Sequence, residues 1–424
     1  MRTPVHEYLA EIRDSCYYYS QGEVATYIPE LAEVDPDQFG IALCTPAGTI
    51  YAEGDAENEF TIQSVSKPFV YAMALVERGL QIVDAHVDVE PSGDPYNAMS
   101  VDPESGKPSN PMINMGAIVT HCLVGPADAT PQERSDLIIE SLCKFAGRKL
   151  EVNEAVLESE FANRYRNVAL ASMMRSNGFI SIEPDDAVWG YTRQSALNVT
   201  ARDLSVMAMT LANGGVNPIT HERVVPEWVC RQVLSVMTTC GMYDSAGDWL
   251  SSVGIPAKSG VGGGIIGSLP GQVGIGTFSP RLDSHGNSVR GVEACERVSR
   301  DMGLHIMAMP APSIDAIGQQ SRTESGAVLV SIQGALTFPT AELALRRFEE
   351  IPEDESEVVV DLTAVPQINH VGDRMLREGL RRLGEDGHQV TLVDPHERIP
   401  RPMDHDRRRI PVIDDFATFE DAET

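Results

Sequence analysis

Hydrophobic and polar residues change their rhythm twice along this chain. From about Val5 to Met309, short apolar runs of strand type alternate with stretches of helical period, punctuated by Gly- and Pro-containing turns. A β-type run stops at Ile62. Pro68 then stands where the first turn of a helix tolerates it, and Val70, Met73, Ala74 and Leu75 lay an apolar stripe along the helix that follows. Near residue 310 the pattern dissolves. Pro310-Ala311-Pro312-Ser313 and Gln319-Gln320-Ser321-Arg322-Thr323-Glu324-Ser325-Gly326 are polar, turn-rich and weakly periodic, which reads as a linker. Beyond it the period resets. Val328, Val330 and Ile332 alternate as a strand, and Ala341, Leu345 and Phe348 recur at helical spacing. Val358-Val359-Val360 is a short buried-strand run, and Val371, Met375, Leu376, Leu380 and Leu383 mark a second helix. Val390, Leu392 and Val393 form a further strand. Strands alternating with helices over about 100 residues predict a compact α/β unit.

A chain of 424 residues suits two or three domains. Hydrophobic residues make up 42% and charged residues 22%, a globular balance. No apolar run is long enough to span a membrane. The opening Met1-Arg2-Thr3-Pro4-Val5-His6-Glu7 is polar and leads into no apolar segment, so no secretory signal is expected. The seven cysteines (Cys16, Cys44, Cys122, Cys143, Cys230, Cys240, Cys295) are scattered and odd in number, with no C-x-x-C pair. Neither a disulfide framework nor a zinc site is expected from them, and the ten histidines show no ligand spacing. The expectation is a cytoplasmic protein without metal or organic cofactor. A net charge of −29 argues against nucleic-acid binding, because phosphate backbones need a basic face. The same charge fits either an ordinary acidic soluble protein, the favoured reading, or adaptation to high salt.

Candidate chemistry begins at Ser64 and Lys67, three residues apart and predicted to share a helix face one turn from each other. A serine hydroxyl is a poor nucleophile until a base removes its proton, and a desolvated lysine does that. A serine at a helix start also faces unsatisfied N–H groups suited to a developing oxyanion. On spacing alone, the pair reads more readily as a helix cap with a solvated lysine. A second element shifts the balance: Lys258-Ser259-Gly260, on an apparent edge strand, followed by small residues through Gly264. S-x-x-K together with K-[ST]-G resembles the penicillin-recognising serine hydrolases. There the strand lines the cleft, giving an oxyanion N–H and a cationic end for a carboxylate.

A longer ordered series narrows this further. Tyr27-Ile28-Pro29-Glu30-Leu31, Gln63-Ser64-Val65-Ser66-Lys67-Pro68, Asn110-Pro111-Met112-Ile113-Asn114, Cys240-Gly241-Met242-Tyr243-Asp244 and Pro256-Ala257-Lys258-Ser259-Gly260-Val261 together resemble the serine-dependent glutaminase family, from about Ser20 to Arg300. The resemblance implies a serine β-lactamase-like fold, an antiparallel sheet flanked by helices beside a helical subdomain, with the site between them. It implies Ser64 as nucleophile on the glutamine side-chain amide, Lys67 as base, and Tyr243 near Ser64 passing a proton to the departing amine. The N–H groups of Ser64 and Val261 would form the oxyanion hole. Tyr27, Gln63, Asn114, Glu160, Asn167 and Tyr191 would hold the substrate, Glu160 pairing with its ammonium, and Ser64, Tyr243 and Val261 would also contact it. Met115 stands where relatives commonly have alanine, which predicts a repacked pocket wall; Ser195 stands where they often have cysteine.

Residues after about Gly326 resemble a STAS domain, through Val358-Val359-Val360-Asp361-Leu362-Thr363-Ala364-Val365-Pro366 and the strand–helix order. Asn369-His370 occupy the place of an Asp-Ser pair whose serine is phosphorylated in signalling members, so no phospho-switch is expected there. The predicted organisation is a glutaminase domain over 1–311, a linker over 312–325 and a STAS-like α/β domain over 326–424. The class is α/β (α+β). A homodimer or homotetramer is expected, with L-glutamine as substrate and a docking or assembly role for the second domain. Two rivals are a β-lactamase or transpeptidase, disfavoured without an export signal, and a non-enzymatic STAS-type binder, disfavoured by the intact Ser64, Lys67, Tyr243 and Lys258-Ser259-Gly260.

Overall fold

The computed structural model describes residues 4–93, 100–308, 321–323 and 326–414, and the chain divides into two units, Met1–Ala308 and Met309–Thr424. In the first, α1 (Pro4–Cys16) and the short α2 (Pro29–Ala32) precede the hairpin β1 (Gly40–Cys44) and β2 (Ile50–Gly54). β3 (Phe60–Thr61) runs into a 3-10 turn, Gln63–Ser66, and then α3 (Lys67–Arg78). A helical series follows: α4 (Leu80–His86), α5 (Asn114–Leu123), α6 (Pro131–Ala146), α7 (Glu154–Ala162), α8 (Tyr165–Ser176) and α9 (Pro184–Ser195). β4 (Asn198–Val199) returns to pair with β3, ahead of α10 (Ala201–Ala212), α11 (Glu227–Cys240) and α12 (Ala246–Ser252). The unit closes with β5 (Ala257–Ser259), β6 (Gly264–Leu269), β7 (Val273–Phe278) and α13 (Val289–Met302).

The main sheet runs β2-β1-β7-β6-β5 and is antiparallel throughout, with β5 at an edge. Its inner strands carry apolar residues on both faces because both faces are covered. Ile266 and Phe278 pack with Leu204 and Met207 of α10, whereas Ile265 and Ile275 pack with Leu9 and Ile12 of α1 and Val298 of α13. α10 is buried along nearly its whole circumference, as befits a helix lying against the sheet on one side and α6 on the other. It starts at a capping box between Thr200 and Asp203, and Arg148 grips the Asp203 carboxylate with two bonds of 2.6 and 2.5 Å. The remaining helices form the second half of the unit. α5, buried from Met115 to His121, packs against α3, α8 and α9.

The second unit orders its sheet β12-β11-β10-β9-β8, from β8 (Ser321–Arg322), β9 (Val328–Gln333), β10 (Glu357–Ala364), β11 (Gln389–Val393) and β12 (Val412–Ile413). All neighbours are parallel except β8, which is antiparallel to β9. α14 (Phe338–Glu349) and α15 (His370–Glu385) supply the crossovers and pack on each other. Val330, Val358, Val360 and Leu392 from the strands meet Phe348 and Leu380 from the helices in one core. These are the strands and helices the apolar rhythm predicts. Ser321 and Arg322 differ: they fall in the stretch read as linker, yet they pair with Leu329 and Val328. Two residues are too few for a period of two to register. The rest of that stretch, 310–320 and 324–325, lies outside the described residues, as does 415–424. Asn369 caps α15, accepting from the Gly372 amide at 2.8 Å, and His370 is the exposed first residue of the helix.

Candidate active site

The chain turns sharply where β3 ends. Gln63 takes φ +48°, a left-handed setting uncommon for a residue with a side chain, and opens the 3-10 turn. Ser64 therefore sits in that turn and Lys67 begins the α-helix, rather than both lying on one α-helix as the spacing predicts. The outcome for their side chains is similar, because residues three apart eclipse in a 3-10 turn. Pro68 occupies the helix's first turn. The end of β5 presses against this turn. A Cβ on Gly260 would lie 3.2 Å from the Ile62 carbonyl oxygen, and one on Gly262 only 2.6 Å from that of Thr61. Glycine is what lets the two backbones approach.

Ser64 opens onto a chamber of about 260 Å³, a little below the roughly 300–1,000 Å³ usual for drug-sized ligands. Its wall collects Tyr27, Gln63, Ser64, Asn114, Glu160, Asn167, Tyr191 and Val261, every residue the sequence assigned to substrate binding except Tyr243. Distant elements deliver them: Asn114 begins α5, Glu160 lies in α7, Asn167 in α8 and Tyr191 in α9. The side chains form two linked groups. The Tyr27 hydroxyl donates to Glu160 Oε1 at 2.7 Å, and Gln63 Nε2 donates to the same oxygen at 3.2 Å. Asn114 Oδ1 accepts from Lys67 Nζ at 2.7 Å and from the Tyr191 hydroxyl at 3.2 Å, while Asn114 Nδ2 donates to Asn167 Oδ1 at 3.1 Å.

Lys67 is fully buried, and desolvation brings its ammonium down to about 7, so the neutral amine is accessible near neutral pH. Burial likewise raises Glu160, against the pull of the Tyr27 and Gln63 hydrogen bonds. Among the described residues, neither the Ser64 nor the Val261 amide donates a hydrogen bond, and both residues line the chamber.

Lys258 departs from the expected cationic end for a carboxylate. It is fully buried, and its ammonium donates to the carbonyls of Gly241 at 2.9 Å and Ser259 at 2.6 Å. It stands 4.1 Å from the centre of the Tyr243 ring, and burial, then repulsion from Lys67, pushes it well below the usual lysine value. Tyr243 itself has φ +57° and donates its hydroxyl to the Ser259 carbonyl at 2.9 Å. It lines a small recess with Asn110, Met112 and Cys240 rather than the 260 Å³ chamber. Met115, expected at the pocket wall, is buried in the core among Leu170, Met174 and Val188.

Four wall residues escaped sequence reasoning as binding groups: Asn163, Arg166, Thr192 and Ser195. Helical spacing points to two of them, since Asn163 follows Glu160 by three residues at the end of α7 and Ser195 follows Tyr191 by four on α9. Arg166 and Thr192 are only sequence neighbours of Asn167 and Tyr191, and spacing does not single them out. Arg166 brings a guanidinium to the wall that the sequence reading lacked.

Among the described residues, no helix is long and apolar enough to cross a membrane. The Glutaminase family model matches residues 22–307, and the STAS-domain model matches 319–405. A glutaminase of Corynebacterium glutamicum is 47% identical over 397 residues, covering 94% of this chain and 96% of that protein. A glutaminase of Microcystis aeruginosa is 45% identical over 312 residues, 74% of this chain and 92% of its own. The crystal structure of Mglu superposes with a TM-score of 0.86 at 47% identity, covering 94% of this chain and all of that one. With a family model over two thirds of its length and such identity over nearly all of it, the chain belongs to the glutaminase family, carries a STAS domain after the enzyme unit, and hydrolyses L-glutamine to L-glutamate.

Proposed function

We propose that hydrolysis runs through a glutamyl ester on Ser64. The observation that carries this reading is the junction of Ser64, opening onto a polar chamber, with Lys67, buried at the adjoining helix start and lowered to about 7. The neutral amine of Lys67 takes the Ser64 proton as the oxygen attacks the substrate's Cδ carbonyl. The N–H groups of Ser64 and Val261 receive the oxyanion. Ammonia then leaves with the proton that Lys67 took from Ser64, relayed by Tyr243 once its hydroxyl turns from the Ser259 carbonyl, and water cleaves the ester by the reverse sequence.

The substrate's ammonium pairs with Glu160, whose carboxylate Tyr27 and Gln63 already orient through Oε1. Its carboxylate faces the donors of Tyr191, Asn167 and Arg166. Intact-protein mass spectrometry after rapid quenching tests the ester: wild type gains a glutamyl mass and Ser64→Ala does not. Undiminished glutamine turnover by Ser64→Ala would remove Ser64 from the mechanism.

Seven free cysteines support a reducing, cytoplasmic setting. The assembly is read as a homodimer or homotetramer, to which the STAS domain contributes by docking or by binding a protein partner. Light scattering of the chain with and without that domain checks it; an unchanged number of subunits per particle excludes the assembly role.

A further inference from the structure

The nucleophile turn is tied from behind by three buried side chains that line no part of the chamber. Ser66, fully buried, donates its hydroxyl proton to the carbonyl oxygen of Gln63 at 2.8 Å. Gln194 Nε2 donates to Ser66 Oγ at 3.5 Å, and Gln194 Oε1 meets His121 Nδ1 at 2.8 Å. The direction of donation is dictated by chemistry. An amide oxygen only accepts, so His121 carries its proton on Nδ1, and Ser66 accepts from Gln194 while its own proton goes to the carbonyl. His121 and Gln194 are 1% and 0% exposed, and burial lowers His121 to about 4, so its ring is neutral. The series begins on α5, which carries Asn114, and crosses α9, which carries Tyr191.

Its end point matters most. The Gln63 carbonyl belongs to the same planar unit as the Ser64 N–H, and in a trans peptide the two point in opposite directions. No peptide bond described here is cis. A grip on the carbonyl therefore sets the aim of the amide. Gln63 also holds φ +48°, a setting that a residue with a side chain keeps only under constraint.

We infer that Ser66, backed by Gln194 and His121, is a positioning residue for the oxyanion hole: it fixes the 63–64 peptide plane so that the Ser64 N–H faces the chamber. The inference rests on Ser64 being the nucleophile. None of the three lines the chamber, so removing the tie weakens the transition state while leaving ground-state binding in place.

The test uses the full chain and the variants Ser66→Ala, Gln194→Met and the two combined, with Ser64→Ala in parallel. Each is measured for kcat on L-glutamine, for Kd of L-glutamate and for Tm. Ser66→Ala is expected to lower kcat about tenfold or more, below the roughly 10²–10³ seen when an oxyanion donor is removed outright. Its L-glutamate Kd stays within about twofold. Gln194→Met lowers kcat less, and the double variant is no slower than Ser66→Ala, because both act through one peptide plane. Wild-type kcat in Ser66→Ala, or kcat and glutamate affinity falling together, overturns the inference. So does full additivity in the double variant. If Ser64→Ala retains activity, the nucleophile assignment fails instead; if it is inactive while Ser66→Ala is normal, only the tie fails.

Discussion

At the scale of single residues, the chamber is governed by two ionisable groups with opposite tasks, the buried Lys67 and the half-buried Glu160. Lys67 serves as base only when neutral, and its value of about 7 sets the window. kcat/KM is expected to rise about tenfold per pH unit below 7 and to flatten above it, because the deprotonated fraction does the same. A profile that is flat from acid to alkaline pH would contradict the base role. Burying that amine also costs stability. The unfolded chain binds this proton up to the ordinary lysine range and the folded chain releases it near 7, so stability from this group rises with pH between those limits. Lys67→Met should thus lower kcat by about 10²–10⁴ while raising Tm, most visibly below pH 7. Asn114 Oδ1 keeps the Tyr191 hydrogen bond in that variant, so no orphan acceptor offsets the gain. A lower Tm would contradict the desolvation argument. Glu160→Gln should raise KM about ten- to a hundredfold with a smaller change in kcat, since a charge-assisted contact to the ammonium is lost. Steady-state kinetics separate the two. Ser64 and Lys67 stood out in the sequence through the longer ordered series around them, because the three-residue spacing alone reads more readily as a helix cap. The fate of Lys258 was not legible. Ala257, Lys258 and Ser259 are all buried, and a strand covered on both faces gives no alternation to say which way a lysine turns.

At the scale of elements, the site depends on how closely β5 approaches the nucleophile turn. Gly262 makes that approach possible, with the Thr61 carbonyl 2.6 Å from where a Cβ would be. Gly262→Ala must push the two backbones apart. Since Val261, an oxyanion donor in the proposed mechanism, is its neighbour, both stability and kcat should fall. The expected loss is about 1–3 kcal/mol in denaturant unfolding, with an accompanying drop in glutamine turnover. Unchanged values in both measurements would show that the loop shifts freely. Sequence pattern was a good guide to elements long enough to show a period, as in β9, β10, α14 and α15. It missed the 3-10 turn because Ser-x-x-Lys spacing satisfies both helix types. It missed β8 because a two-residue edge strand has no rhythm of its own.

At the scale of the whole molecule, the chain divides into two units, Met1–Ala308 and Met309–Thr424, while assembly left no mark in a single chain. The chamber wall lies entirely between Tyr27 and Val261. Among the described residues, the hydrophobic clusters containing Phe69, Ile275 or Met174 are made of residues before 309, and those containing Val358 or Val359 of residues after 326. Apolar burial is the main source of folding free energy, so a unit whose core closes on itself does not need its neighbour to fold. The acidic charge of −29 adds a condition, because self-repulsion weakens the compact state at low ionic strength and salt screens it. The segment 1–308, measured in moderate salt, is therefore expected to melt cooperatively and to hydrolyse L-glutamine with kcat within about twofold of the full chain. Both proteins should gain a few degrees in Tm as NaCl rises from low to physiological levels. A truncated protein that folds but has lost turnover would mean that the STAS domain acts on catalysis itself. One that is unfolded at every salt concentration would mean that the enzyme unit relies on surface its own core does not supply.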